Sequence, residues 1–145
     1  MATEPAREQR AIMERVLTVD DLSKLSPKER NEYYLQVCET LGLNPATRPF
    51  DYIVFNNKMQ LYARRDAVDQ LRRRDKISIT IKERQKVDDV YMVIARATTP
   101  DERTDESIGV VSLAGLRGDN LANAFMRAET KAKRRVTLSI CGLGF

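Results

Sequence analysis

The segment from Gly118 to Gly144, GDNLANAFMRAETKAKRRVTLSICGLG, limits the fold of this chain more than any other. No Gly or Pro interrupts it between Asp119 and Cys141. Asp119 or Asn120 is expected as the N-cap, and Gly142 stands where a left-handed closing residue belongs. The predicted helix has about six turns. Leu121, Phe125, Ala128, Ala132, Val136 and Ile140 recur at spacings of three and four, which makes one stripe apolar. Ala124, Ala128 and Ala132 keep that stripe thin, so another backbone, expected to be a sheet, can approach closely. A second stripe, about 100° per residue round the wheel, holds Asn120, Asn123, Arg127, Lys131 and Arg134 and no acid. The plain structural reading of such a stripe is a solvated face. The functional reading is a row of amides and cations laid along a phosphate backbone. Glu129 and Lys133 form a predicted i,i+4 pair on another side of the helix, whereas Arg127, Lys131 and Arg134 have no such partner in sequence.

The 145 residues suffice for one domain with its own core. The net charge of +4 is uneven, with the excess cations in Lys58–Lys86 and Arg127–Arg135. Two basic clusters on a mildly basic chain point to a polyanion track. The absence of histidine excludes His-based acid–base chemistry and His-dependent triads, along with most zinc and iron sites. Cys38 and Cys141 both fall on apolar helix faces and are expected to be free thiols in a reducing cytoplasm. No apolar run reaches the roughly 18 residues that would span a bilayer, so no membrane partner is expected. Residues 1–10 lack the apolar core of a secretory signal.

Ahead of the closing helix, residues 1–25 read as a polar N-terminal arm or a helix that contacts a neighbouring subunit, with Thr3 as cap and Ile12, Val16 and Leu17 as its weak apolar pattern. Residues 26–145 read as the core domain. Ser26-Pro27-Lys28-Glu29 is a capping box with proline at the first helical position. Its helix carries Tyr34, Val37, Cys38 and Leu41 on one face and stops at Gly42. Tyr52–Phe55 and Met59–Tyr62 are strand-like runs around Asn56-Asn57-Lys58, a hairpin signal. Arg64–Asp75 follows as a short helix with Asp66 as its cap, and Arg72-Arg73-Arg74 near its end suits the helix dipole as well as it suits a ligand. Ile77, Ile79 and Ile81 alternate with polar residues. Val90–Ala97 is apolar on both faces except at Arg96 and reads as the central strand. Ile108–Leu113 returns as a third strand. The fold class expected is α+β: an antiparallel β-β-β sheet crossed by the long helix, after a helix, a hairpin and a short helix.

Catalytic signatures are missing. No GxxxxGK[ST] is present, which disfavours ATP-driven chemistry, and there is no CxxC. Glu129-Thr130-Lys131 imitates the Glu-x-Lys of metal-dependent nucleases, but on a helix residues i and i+2 point apart. The acidic pairs Asp88-Asp89 and Asp105-Glu106 read as solvated turns. No catalytic residue, metal or cofactor is expected. What remains is binding, with cations for phosphates and Tyr52, Phe55 or Tyr62 near the basic hairpin for base stacking.

Three stretches in order (YYLQVCETLGLNPATRPFDYIVFNNKMQLYARRDAVDQL, the β-β-β run and MRAETKAKRRVTLSICGLGF) resemble the phage-type single-strand annealing proteins of the RecT/Redβ group, and more distantly Erf. The resemblance covers residues 32–145. It implies ATP-independent binding of single-stranded DNA and annealing of complementary strands through an annealed duplex intermediate. It further implies a homo-oligomeric ring or helical filament, in the cytoplasm of a bacterial or phage-infected cell. DNA-binding roles carry over to Arg127, Lys131, Arg134 and Arg135, with Lys58, Arg64 and Arg65 at the hairpin. Arg135 lies nearer the apolar stripe and is also a candidate for a subunit interface. Relatives of this kind recruit a partner exonuclease or the host single-strand-binding protein through a region after the long helix. The present sequence ends at Phe145, as expected of a minimal version or a trimmed chain. The alternative is a nonspecific single-strand coating protein without annealing activity. A metal-dependent nuclease is the weaker rival.

Overall fold

The computed structural model describes residues 3–145, so residues 1 and 2 of the expected arm lie outside the described residues. The fold is α+β. The chain divides after Ala67 into two compact units, and the expected boundary at residue 25 falls inside the first of them.

The first unit opens with α1 (Glu4–Val19), where the Thr3 hydroxyl accepts from the Ala6 amide and Pro5 occupies the first turn. Ile12 is buried while Leu17 stays exposed, and Arg15 reaches across to Glu29 and to the Lys24 carbonyl. The expected arm is thus a helix tied into its own unit. The predicted capping box is formed: the Glu29 amide donates to Ser26 Oγ at 3.2 Å, and Glu29 Oε1 accepts from the Ser26 amide at 2.9 Å. It starts α2 (Pro27–Leu41), which ends at a left-handed Gly42. The hairpin joins β1 (Phe50–Phe55) to β2 (Lys58–Ala63) through Asn56 and Asn57, both at positive φ. That is the two-residue turn whose twist matches the strands, and asparagine tolerates it. Tyr34 clamps β1 to α2. Its hydroxyl donates to the Phe50 carbonyl and accepts from the Phe50 amide, each at 2.9 Å.

Helix α3 (Arg65–Asp75) carries the division between the units. It begins at Arg65, so Asp66 lies in its first turn rather than capping it. There a carboxylate still complements the helix dipole.

In the second unit, β3 (Ser78–Val87), β4 (Val90–Thr98) and β5 (Thr104–Ser112) form one antiparallel sheet in the order β3-β4-β5. The central strand is the one expected. The outer strands are longer than their apolar runs suggested. β3 continues through Glu83–Val87 after a bulge at Ile81/Glu83, and β5 starts at Thr104. Ladder hydrogen bonds extend a strand through polar residues once a neighbour is in register, which hydrophobic alternation does not report.

Helix α4 (Gly118–Ile140) packs on one face of this sheet. Ala128, Ala132, Val136 and Ile140 meet Ile77, Val93, Ala95 and Ala97, all buried. Opposite the alanines lies Gly109 on β5. A Cβ there would stand 2.3 Å from the Ala128 carbonyl oxygen and 2.5 Å from the Ala132 amide nitrogen. Backbone therefore meets backbone, as the thin stripe predicts, and the sheet contributes a glycine to that approach. Among the described residues no helix is long and apolar enough to cross a membrane.

Candidate nucleic-acid interface

The start of α4 differs from expectation. Arg117 is the N-cap and makes no side-chain cap bond, and Asp119 and Asn120 lie inside the first turn. The positive φ of Gly118 lets the chain enter the helix early. The C-terminus closes as predicted. Gly142 is left-handed, its amide donates to the Ser139 carbonyl at 3.0 Å, and the Leu143 amide donates to the Leu138 carbonyl at 2.9 Å. Those two bonds make a Schellman motif.

Between these ends Asn120, Asn123, Arg127, Lys131 and Arg135 are exposed, and Arg134 is half-buried. Lys131 fixes the direction of the stripe, because its ammonium donates to the Val110 carbonyl on β5 at 3.3 Å. Asn120, Asn123, Arg127 and Arg134 share that side of the helix by spacing, so the row flanks the edge strand β5. A main-chain oxygen positions the Lys131 ammonium without neutralising it. Arg134 is held at the end of the row, where it donates to a main-chain oxygen of Phe145 at 2.6 Å. Arg127 makes no ion pair among the described residues. Arg135, the candidate for a subunit interface, is exposed and lies one residue from buried Val136.

One predicted pair is not formed. Glu129 bonds to Arg84 of β3 at 2.5 Å rather than to Lys133. A packed strand offers the carboxylate a guanidinium held in place by the ladder, whereas an i,i+4 lysine must give up side-chain freedom to reach it. Lys133 is left without a carboxylate partner among the described residues. It stands as a further uncompensated cation on the opposite flank from β5. No signal in the sequence links Arg84 to Glu129, because their contact depends on the sheet.

The carboxylates that imitate catalytic pairs are also accounted for. Glu106 pairs with Arg96 on the neighbouring strand at 2.6 Å, and Asp105 accepts from the Ser139 hydroxyl. Asp88 and Asp89 form the β3–β4 turn. No cluster of three or more metal-ligating side chains occurs among the described residues. The thiols are free. Burial and the Asp75 carboxylate push Cys141 up to about 11, and burial raises Cys38 as well. Both therefore stay protonated and poorly nucleophilic near neutrality.

Compared with known proteins, the chain matches no family model and no curated relative.

In the first unit the hairpin separates the three candidate stacking aromatics. Its register places Phe50, Tyr52, Val54, Met59, Leu61 and Ala63 on one face and Asp51, Ile53, Phe55, Lys58, Gln60 and Tyr62 on the other. Tyr52 packs against Tyr34 with ring centroids 5.8 Å apart, and its hydroxyl donates to the Arg30 carbonyl. It serves the fold. Phe55 is 60% exposed and directly opposite Lys58, and Tyr62 is 39% exposed on the same face. Lys58 lies 3.7 Å from Asp20, and Arg64 donates to the Arg48 carbonyl at 2.8 Å and lies 3.7 Å from Asp51. Arg65 is exposed in the first turn of α3. The hairpin cations belong to the first unit and the ridge on α4 to the second.

Proposed function

We propose that this protein binds single-stranded DNA and anneals complementary strands without ATP, in homologous recombination or repair, as a homo-oligomer. The observation that carries this reading is the β5 flank of α4. There Asn120, Asn123, Arg127, Lys131 and Arg134 form a row without an acidic side chain, and a main-chain carbonyl rather than an acid holds Lys131. Such a row neutralises successive phosphates and releases their counterions. The exposed ring of Phe55 beside Lys58 supports the same reading, since an aromatic next to a cation suits an unpaired base. The absence of a nucleotide-binding glycine loop from the sequence supports independence from ATP.

In this mechanism the ridges of neighbouring subunits join into one groove of a ring or filament. One strand is held by its phosphates with its bases displayed, and a second strand samples register by pairing. Matched duplex then locks the complex. Arg135 and the hairpin residues Lys58, Arg64 and Arg65 add backbone contacts. Partners of this reading are single-stranded DNA, the annealed duplex intermediate and further copies of the chain. A partner exonuclease or a host single-strand-binding protein completes the pathway. The compartment is the cytoplasm of a bacterial or phage-infected cell.

The test is pairing of complementary oligonucleotides, followed by fluorescence quenching without ATP or metal. The expected result is accelerated pairing, with single-strand affinity that falls as salt rises. With about four phosphates engaged per subunit, the slope of log K against log salt is about −3. Binding that is insensitive to salt overturns the reading. Binding without accelerated pairing leaves the coating alternative. Cleavage of labelled DNA that needs metal and is lost in Glu129→Gln assigns a nuclease instead.

A further inference from the structure

Leu138 follows Lys131 and Arg134 at spacings of seven and four, so it lies on the side of α4 that carries the basic row. Lys131 is exposed there, whereas Leu138 is only 5% exposed. The close of the helix accounts for the difference. Left-handed Gly142 reverses the chain, and the Leu143 amide donates to the Leu138 carbonyl at 2.9 Å. In a Schellman motif the two residues so bonded commonly bring apolar side chains together, and here both are leucine. Two residues on, a main-chain oxygen of Phe145 accepts from the Arg134 guanidinium at 2.6 Å. Arg134 stands one turn, about 6 Å, ahead of Leu138, and two residues of extended chain span about 7 Å. Residues 143–145 thus run back along α4, over the end of the row. Row and segment belong to the same compact unit.

We propose that residues 143–145 are a strap that occupies Arg134 in the free protein and is displaced by a bound polyanion. The inference rests on the reading of the row as a phosphate track and adds its regulation. A guanidinium offers a fork of donors to oxygen acceptors, and the Phe145 oxygen takes a place that suits a phosphate oxygen. Lys131 is also held by a main-chain oxygen, that of Val110, but the two anchors differ. Val110 sits in a strand paired with β4 and stays in place when its lysine turns away. Residues 143–145 belong to no helix or strand, so they can lift at Gly142 without breaking a ladder. Phosphates already bound at Arg127 and Lys131 raise the effective concentration of the next one at Arg134. An anion that spans only the start of the row leaves the strap in place, and one that runs its length displaces it. Full engagement of the row thus depends on the length of the ligand.

Backbone order in the nitrogen-labelled full chain, read from heteronuclear Overhauser effects, tests this. In the free protein Leu143 and Gly144 are expected to be as ordered as Ser139. Saturating long-chain polyphosphate, and separately oligodeoxythymidylate, are expected to lower the order of both while Ser139 keeps its own. Leu143→Ala loosens the strap and is expected to bind polyphosphate up to about fivefold tighter, the reach of one exposed ionic contact. In an Arg134→Gln background the same substitution is expected to give no gain. Residues 143–145 that are already mobile in the free parent overturn the inference. So does order that survives saturation by both polyanions. A Leu143→Ala affinity equal to the parent's, or a gain undiminished by Arg134→Gln, overturns it as well. Release by polyphosphate in a protein that binds no oligonucleotide keeps the strap and removes the single-strand reading alone. Oligonucleotide bound over an ordered strap keeps the single-strand reading and removes the strap.

Discussion

At the scale of single residues, partner identity decides what each charge does. Glu129 belongs to Arg84, and a double-mutant cycle between them is expected to give about 0.2–1 kcal/mol, the range of half-exposed ion pairs. The same cycle between Glu129 and Lys133 is expected to give nothing measurable by thermal melts. Arg127→Ala removes a cation that makes no ion pair among the described residues. It is expected to weaken single-strand binding and to lower the salt slope by about 0.7, with no change in melting temperature. A drop in melting temperature instead assigns that arginine a structural role. Asp21 is a different kind of charge. Its carboxylate accepts from the Ser23 hydroxyl and amide and from the Met59 amide, which lowers it from 3.8 to about 2. A folded value below the unfolded one means that the stabilisation is complete above the unfolded value and is lost as pH falls through about 2. Melting curves of the parent and Asp21→Asn are therefore expected to keep a constant gap down to about pH 4 and to converge below it.

At the scale of elements, the contact between α4 and β5 is the most demanding. The alanine stripe is legible in the sequence because small residues at spacings of four on a long helix mark a face that another backbone approaches. Its counterpart is not legible, since nothing in the sequence says which helix residues Gly109, inside the third strand, will face. Gly109→Ala brings a methyl group into contact with the Ala128 and Ala132 backbone, and neither helix backbone atom can swing aside. The expected cost is about 1–3 kcal/mol or more, seen as a lower midpoint in urea. A midpoint unchanged by that substitution contradicts the close approach. The caps divide in the same way. Ser26, Gly42 and Gly142 are readable because cap chemistry is local. The start of α4 is not, because the left-handed Gly118 moves the boundary ahead of Asp119 and Asn120.

At the scale of the whole molecule, each unit carries cations of the proposed interface, and DNA affinity is expected to depend on both. Lys58→Ala combined with Arg127→Ala is expected to reduce single-strand affinity by the product of the two separate losses, as independent phosphate contacts do. Fluorescence anisotropy at fixed salt checks this. A double substitution no worse than the weaker single one shows that only one surface binds DNA. By itself the sequence determined the elements and their faces: the helices with local caps, the Asn56-Asn57 hairpin, the central strand, the thin alanine stripe and the row from Asn120 to Arg134. These follow from backbone sterics and from side-chain periods of 2 and 3.6, which act between near neighbours. Only the tertiary structure decided that Arg84 takes Glu129, that Gly109 receives the helix, and that the Tyr52 hydroxyl bonds to the Arg30 carbonyl while Phe55 stays exposed. Each of those outcomes joins residues distant in sequence, and such contacts exist only once strand register and helix packing have brought them together.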